Sequence, residues 1–353
     1  MSQYDYDLAV IGGGSAGSTG AKFGVMRNKK VALIERDKLG GTCLNYGCDP
    51  TKALLHAAED LLCRRKSQSL DPTHDLEEKE WQNAMGRVRR LIDSIRGGSH
   101  EDAVERQQSR GIDVHLADAA FEDEHTIRLE DKSITAEKIL IAPGMRPSVP
   151  PVDGLASTGY ITNVQAVSLE SLPSSLAIIG AGFIGVEFSQ IFRRFGVEVT
   201  VLEMAPRIML PADGEITDKL REYLEGEGIQ FKLGVEISKV SKQGSQKKIT
   251  YKCDDEEHSL EVDEILVAAG RRPATDSLEL DKAGIEQKRG LIQVSDILQT
   301  SQEHIFAAGD VSGYPPFTHV AAPQGKLAVF NAFCQNPIPF NGTAIPAAAF
   351  THP

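Results

Sequence analysis

The chain lacks the features that mark several protein classes. Its first seven residues contain no basic stretch, and the apolar run that follows is interrupted at Gly12, Gly13 and Gly14. This pattern fits neither a secretory signal nor a membrane span. Five cysteines in 353 residues are too few for a disulfide scaffold, and their spacing matches no zinc motif. We therefore expect a cytoplasmic protein with no membrane partner and no metal site, in which a disulfide would be catalytic.

Basic residues are also in deficit. Lys and Arg number 38 against 50 Asp and Glu, so the net charge is -12. An acidic surface repels phosphate backbones, which argues against a nucleic-acid partner. Small anionic cofactors can still bind, because local backbone dipoles can outweigh the net charge. The rest of the composition is that of a globular protein, and the length suits two or three domains.

A strand, a glycine-rich turn and a helix open the chain. Residues 8–11 predict a strand, Gly12-x-Gly14-x-x-Gly17 follows it, and a second strand over 31–34 ends at Glu35. In this pattern the first glycine permits the sharp turn, the second lets a pyrophosphate approach, and the third lets helix and strand pack closely. The carboxylate of Glu35 can accept hydrogen bonds from ribose hydroxyls. The stretch therefore predicts a dinucleotide-binding unit.

The same pattern occurs a second time. Gly180-x-Gly182-x-x-Gly185 follows an apolar strand, and Glu203 ends the next strand. A carboxylate at this position repels a 2′-phosphate, which favours NAD(H) over NADP(H), although Arg207 lies close behind it. We therefore expect an α/β protein with two Rossmann-like, three-layer dinucleotide-binding domains.

The region between the first unit and the next strands predicts two helices over 53–110, separated near Asp71-Pro72. In the second helix Val88, Leu91, Ile92 and Ile95 recur at i, i+3, i+4 and i+7. This spacing predicts one apolar stripe along the helix.

The segment 40–52 carries two cysteines, Cys43 and Cys48. On an ideal helix their Cα atoms would lie about 8.6 Å apart, whereas a disulfide needs less than about 7 Å. A bridge therefore requires a locally distorted helix start, which Gly47 and Pro50 favour. A strained pair is easier to reduce, and a helix N-terminus favours the thiolate. The alternative is two unpaired buried thiols.

This segment, Gly40-Gly41-Thr42-Cys43-x-Asn45-x-Gly47-Cys48-x-Pro50-x-Lys52, resembles the active-site signature of the class I pyridine nucleotide–disulfide oxidoreductases. That family includes glutathione reductase, lipoamide dehydrogenase and mercuric reductase. The resemblance covers nearly the whole chain. It implies that the first glycine motif binds FAD and that the second binds the nicotinamide cofactor.

The resemblance also assigns roles by position. Cys43 would be the exposed interchange thiol, Cys48 would lie against the flavin, and Lys52 would pair with Glu187 near it. The remaining implied contacts are with cofactors and are made by Gly12, Gly14, Gly17, Glu35, Gly41, Thr42, Gly144, Gly309 and Asp310 for FAD and by Gly180, Gly182, Gly185, Glu203 and Gly270 for the nicotinamide cofactor.

The resemblance implies an NAD domain inserted in an FAD domain. The expected boundaries are 1–155 for the first part of the FAD domain, 156–273 for the NAD(P) domain, 274–343 for the FAD-domain return segment and 344–353 for the start of a dimerisation domain. Family members continue through that last domain, which supplies a catalytic His–Glu pair. We therefore expect a homodimer for a full-length protein, and a truncated, monomeric chain in this case.

A second departure from the family pattern is Asp49, where an apolar residue is usual. A carboxylate that points toward the thiolate would raise the pKa of Cys48. We favour the alternative that Asp49 is the N-cap of a helix that begins at Pro50.

The expected function is FAD-dependent transfer of electrons from NAD(P)H through the Cys43–Cys48 disulfide to a small-molecule or protein-bound disulfide, as in dihydrolipoyl dehydrogenase. Two alternatives stay open. The first is a mercuric-reductase-like reduction of metal ions, which the residues after Cys48 resemble somewhat more closely. The second is a flavin-binding protein without turnover.

Overall fold

The computed structural model describes residues 3–68, 74–130 and 132–353. The chain folds into two compact units. Unit 1 comprises Met1–Asn45, Ile92–Arg146 and Arg272–Ala347, and unit 2 comprises Tyr46–Leu91, Pro147–Arg271 and Ala348–Pro353. The domain boundaries expected from the sequence stay a prediction. The expected break near Asp71-Pro72 lies outside the described residues.

The α-helices, numbered in chain order, are α1 (Ser15–Met26), α2 (Gly41–Tyr46), α3 (Cys48–Gln68), α4 (His74–Arg96), α5 (His100–Gln108), α6 (Leu155–Thr158), α7 (Asn163–Ala166), α8 (Phe183–Arg194), α9 (Gly214–Gly226) and α10 (Thr318–Ala332). Two 3-10 turns cover Leu280–Ala283 and Asp310–Ser312. Among the described residues, none of these helices has both the length and the apolar character that a bilayer crossing requires.

The strands are β1 (Tyr6–Ile11), β2 (Val31–Glu35), β3 (Ile112–Leu116), β4 (Ala120–Phe121), β5 (Thr126–Arg128), β6 (Ser133–Ile141), β7 (Met145–Pro147), β8 (Ser175–Ile179), β9 (Glu198–Glu203), β10 (Gln230–Leu233), β11 (Glu236–Gln243), β12 (Gln246–Cys253), β13 (Glu256–Val262), β14 (Glu264–Val267), β15 (Arg271–Pro273), β16 (Gln287–Lys288), β17 (Leu291–Ile292) and β18 (Ile305–Ala307).

Unit 1 is built on a sheet whose strand order is β3-β2-β1-β6-β5-β4, with β18 also paired to β6. The ladders β3-β2, β2-β1, β1-β6 and β6-β18 are parallel, as expected for a dinucleotide-binding fold. Alternate residues of β1 enter two different cores: Leu8 and Val10 pack with α1 and α10, whereas Ala9 and Ile11 pack with Phe121 on the other face. The sheet is therefore covered on both faces, as parallel sheets require.

Unit 2 contains a four-stranded parallel sheet of order β10-β9-β8-β14 and an antiparallel sheet of order β11-β12-β13. Its core joins residues of both sheets, such as Ala177, Leu202 and Tyr251. The predicted strand, glycine turn, helix and strand over 176–203 are present as β8, α8 and β9. The α/β class with two Rossmann-like units is thus confirmed.

The apolar stripe predicted for the second helix lies on α4 and is only partly buried. Val88 and Ile92 are buried, but Leu91 is 42% and Ile95 is 52% exposed. Periodicity identifies residues that share a helix face, but not how far a neighbouring element covers that face. The expectation of two helices over 53–110 was also wrong, because α5 forms a third, with Ser99 and Asp102 making a capping box at its start.

Trp81 is the single tryptophan and lies fully buried in unit 2. Its ring centroid is 5.6 Å from that of Phe192 and 5.1 Å from that of Phe195, and its Nε1–H donates to the Leu169 carbonyl at 2.9 Å. This aromatic cluster packs α4 against α8. Trp81 fluorescence therefore reports on the core of unit 2.

We expect Phe192→Ala to destabilise unit 2 by about 3–5 kcal/mol, because it leaves a cavity beside Trp81. Urea unfolding followed by Trp81 emission measures the change. Leu91→Ala, on the exposed side of α4, is the control and should cost less than about 0.5 kcal/mol. Equal effects of the two variants would contradict the assigned packing.

Candidate nucleotide and redox site

The first glycine turn has a geometry that side chains cannot adopt. Gly12 has φ 102°, and a Cβ on it would overlap the Ala142 carbonyl. A Cβ on Gly17 would overlap the carbonyl of Gly12, so α1 could not approach the turn. The carboxylate of Glu35 accepts from the N–H of Gly13 at 2.6 Å and from that of Asp37 at 2.9 Å. Glu35 therefore holds the turn as well as ending the strand.

The second glycine turn reproduces this arrangement in unit 2. Gly180 has φ 106°, and a Cβ on Gly185 would overlap the Gly180 carbonyl. Glu203 accepts from the N–H of Ala181 at 2.6 Å and from that of Ala205 at 2.7 Å. A Cβ on Gly182 would meet no atom of the described residues within 4 Å, so the turn opens to free space at the start of α8. This is the room that a pyrophosphate needs at a helix N-terminus.

The other residues expected at the flavin lie around the first turn in unit 1. Gly41 begins α2 with φ 59°, and a Cβ on it would come within 2.7 Å of Gly14 Cα. Gly309 has φ 79° and donates its N–H to Gln324 Oε1 at 2.9 Å. The Nε2 of Gln324 is buried and has no hydrogen-bond partner within the described ranges. A close-approach cradle and an unsatisfied buried donor fit a bound dinucleotide.

The remaining residues expected to contact a cofactor are Thr42, Gly144, Gly270 and Asp310. Thr42 lies in α2, and Asp310 begins the 3-10 turn that follows Gly309. Gly144 has φ 69° and follows β6, and Gly270 has φ 102° and follows β14. Gly144, Gly270 and Asp310 lie just beyond β6, β14 and β18, where α/β sheets place ligand-binding residues. Their contacts with a cofactor stay a prediction.

The two cysteines lie on either side of a helix break. Cys43 is half-buried in α2, and Cys48 is exposed and is the first residue of α3. Only Gly47 separates the two helices. The local distortion expected between Cys43 and Cys48 is therefore present. Cys48 is thus more exposed than Cys43, the reverse of the exposure expected for the two thiols, and their redox roles stay a prediction.

Asn45 fixes the cysteine segment from within unit 1. Its Nδ2 donates to the carbonyls of Leu39 at 3.2 Å and Gly41 at 2.9 Å, while its Oδ1 accepts from Arg96 at 2.9 Å. A buried amide that makes three bonds specifies one loop conformation. This role of Asn45 was not predicted from the sequence, although its place within the cysteine signature was a signal for one.

Lys52 and Glu187 form the expected ion pair. Lys52 Nζ lies 3.0 Å from Oε1 and 2.8 Å from Oε2 of Glu187, whose side chain is 6% exposed. Lys52 lies one helical turn after Cys48. The Lys52 ammonium, fixed by Glu187, is therefore near the N-terminus of α3.

The residues that fix this pair were not predicted from the sequence. Gln190 and Arg194 are buried on the same face of α8 as Glu187, at i+3 and i+7. Arg194 bonds Glu59 of α3 at 2.6 Å and Glu227 at 2.7 Å. The spacing of three polar residues on one helix face was the available signal, but the same spacing also occurs on solvated helices.

The prediction that Asp49 is an N-cap was wrong. The helix α3 begins at Cys48, and the Thr51 N–H donates to the Gly47 carbonyl at 3.0 Å, so Gly47 occupies the cap position. Pro50 is tolerated within the first turn, where its missing N–H is not needed. Asp49 lies in that turn as well. Burial raises the pKa of its carboxyl, and the charge of Lys52 partly opposes the rise.

A raised pKa means that the folded chain holds the Asp49 proton more tightly than the unfolded chain does. Its contribution to stability is therefore lost as the pH rises through the folded-state pKa. We expect Asp49→Asn, which cannot ionise, to lose less stability than the wild type between about pH 3 and about pH 7. Urea midpoints across this range measure the difference. Asp218→Asn removes an exposed carboxylate as a control, and a wild-type slope in Asp49→Asn would refute the expectation.

Comparison with known proteins gives the family. The model of the family "Pyridine nucleotide-disulphide oxidoreductase" matches residues 6–325. A mercuric reductase of Staphylococcus aureus is 34% identical over 99% of this chain and 63% of its own length. A mercuric reductase of Lysinibacillus sphaericus is 32% identical over 100% of this chain and 64% of its own. A dihydrolipoyl dehydrogenase of Synechocystis sp. is 35% identical over 100% of this chain and 77% of its own.

Solved structures agree. The HOCl-induced flavoprotein disulfide reductase RclA from Escherichia coli has a TM-score of 0.82 at 31% identity and covers 95% of this chain and 72% of its own. Its Cu(II) complex has a TM-score of 0.79 at 32% identity and covers 90% of this chain and 69% of its own. The chain thus spans less than two thirds of the two mercuric reductases and more of the other relatives. It belongs to the pyridine nucleotide–disulfide oxidoreductase family, whose members use FAD and a pyridine nucleotide.

Proposed function

We propose that the protein to which this chain belongs is an FAD-dependent NAD(P)H:disulfide oxidoreductase. The observation that carries the proposal is the start of α3, where Cys48 lies one turn before the Lys52–Glu187 pair. A helix N-terminus and a nearby fixed cation both stabilise the thiolate form of a cysteine, which is the form that reacts in disulfide exchange. Because the chain spans 64% and 63% of the two mercuric reductases, the proposal concerns the whole protein.

In this proposal, bound FAD supplies two-electron chemistry between the nicotinamide and a Cys43–Cys48 disulfide. Overall, NADH, one proton and the disulfide give NAD⁺ and two thiols. Glu35 and the turn over 12–17 would hold the FAD, and Lys52 would stabilise the negative charge that develops on the flavin when it is reduced. Cys43 then exchanges with a small-molecule or protein-bound disulfide. A cytoplasmic location and a homodimer of the full-length protein belong to the same proposal.

Glu203 supports NAD(H) as the preferred nicotinamide cofactor. Two backbone N–H groups fix its carboxylate at the end of β9, in the place that Glu35 occupies in unit 1. A fixed carboxylate accepts from ribose hydroxyls and repels a 2′-phosphate. The guanidinium of Arg207, the nearby cation that could weaken this preference, donates to the Leu210 carbonyl at 2.9 Å.

A second candidate is the reduction of a metal ion as substrate. It is favoured by the two mercuric reductases among the relatives and by the Cu(II) complex among the related structures. The cysteine pair would then bind the ion. NADH or NADPH oxidation that depends on Hg(II) or Cu(II), and not on a disulfide, supports this candidate over the first.

The first test is an anaerobic NADH titration of the purified, FAD-loaded chain, followed by visible absorption. We expect a long-wavelength thiolate-to-flavin band to appear as the disulfide is reduced. Cys48→Ser should abolish the band, whereas Cys43→Ser should keep it. Flavin that bleaches without the band would favour a flavin-binding protein whose cysteines are not coupled to it, and a chain that binds no FAD would overturn the proposal.

The second test concerns cofactor choice. We expect the KM for NADPH to exceed that for NADH by on the order of tenfold, which corresponds to about 1.4 kcal/mol. Glu203→Gln should narrow this ratio, because it removes the charge and keeps a hydrogen-bonding oxygen. Initial rates with both cofactors measure the ratio. A ratio near one in the wild type would contradict the preference.

A further inference from the structure

Residues 350–352, called here the strap, lie along the buried polar face of α8 within unit 2. The amide of Gln190 pairs with the backbone of His352 in both directions: its Nε2 donates to the carbonyl at 2.7 Å, and its Oε1 accepts from the N–H at 2.9 Å. Gln190 is fully buried. Two hydrogen bonds to a buried amide fix the strap in one register, because a shift would leave that amide unsatisfied.

Two further groups anchor the same residue. The guanidinium of Arg194 donates to the His352 carbonyl, and His352 Nδ1 lies 2.9 Å from Glu59 Oε2 of α3. Arg194 also binds Glu59. The strap is thus tied to both helices that carry the ion pair.

At its other end the strap reaches the ion pair itself. The Phe350 N–H donates to Glu187 Oε1 at 3.1 Å, and Lys52 Nζ lies 4.5 Å from the centroid of the Phe350 ring. Glu187 Oε1 therefore receives two donors, from Lys52 and from the strap. The Lys52 side chain is 33% exposed, so its ammonium is not enclosed by Glu187 alone, and the Phe350 ring is a second contact of that ammonium. A cation over an aromatic face gains electrostatic stabilisation and loses part of its freedom to move.

We propose that Phe350 is a positioning residue for the Lys52–Glu187 pair: its N–H fixes the carboxylate and its ring restrains the ammonium. The strap anchors at Gln190 and Arg194 hold Phe350 in place for this task. The catalytic consequence rests on the proposed oxidoreductase function, whereas the positioning itself does not.

The test measures how accessible Lys52 is to chemistry. The full chain is treated with limiting acetic anhydride, and acetylation of Lys52 relative to exposed Lys219 is quantified by peptide mass spectrometry. We expect Phe350→Ala to raise this ratio about two- to fivefold. Phe350→Leu keeps an apolar side chain without the aromatic face, and its ratio should lie between those of the wild type and Phe350→Ala. Phe350 is 54% exposed, so the variants should fold. Ile338→Ala, at a residue 50% exposed in unit 1, is the matched control and should leave the ratio unchanged.

A second measurement separates positioning from cofactor binding. In the FAD-loaded chain, Phe350→Ala should slow anaerobic reduction by saturating NADH, while the NADH concentration for half-maximal rate stays within about twofold. An unchanged acetylation ratio overturns the positioning, and a raised ratio with an unchanged reduction rate overturns its catalytic consequence. If the wild-type chain binds no FAD, the proposed function fails, and the acetylation ratio alone decides whether Phe350 positions the pair.

Discussion

The side chain of Arg194 is charged but only 2% exposed. Its need for carboxylate partners determines how the surrounding segments of unit 2 pack. An unpaired buried charge costs several kcal/mol, so its carboxylate partners on α3 and after α9 must lie within bonding distance. Glu59 lies seven residues after Lys52 on α3, and Arg194 lies seven residues after Glu187 on α8. Seven residues are about two helical turns, so each pair of positions shares a face. When α3 and α8 run in the same direction and Glu59 pairs with Arg194, Lys52 and Glu187 are therefore also brought together.

The two glycine turns show a second constraint, in which one carboxylate fixes the end of a strand to the glycine turn beside it. Glu35 and Glu203 each accept an N–H from the middle of the glycine turn and another N–H two residues after themselves. Each carboxylate thus joins the strand end to the turn before any cofactor arrives. Pre-organised acceptors lower the cost of ordering the site on binding. The same arrangement in both units explains why a single sequence pattern predicted both glycine turns.

Sequence predicted the features whose signals are local. The strands and turns around Gly12 and Gly180 follow from adjacent residues, and the Lys52–Glu187 pair followed from a family resemblance. The exposure of Leu91 and Ile95 could not be predicted, because it depends on which element covers α4. The contact of Phe350 with Glu187 joins residues 163 positions apart, and no periodicity reports such a contact. Asp49 was misplaced because Pro50 marks only approximately where a helix starts.

The hydrogen bonds of Glu187 limit what this residue can do. Its side chain is 6% exposed, and its two oxygens receive two bonds from Lys52 and one from the Phe350 N–H. A general acid or base needs a free position from which to pass a proton to a reacting group. Donors from the chain itself already surround this carboxylate. Glu187 accepts three of the roughly four hydrogen bonds that a carboxylate can take, and two of them come from the Lys52 ammonium, so its geometry suits holding that cation in place.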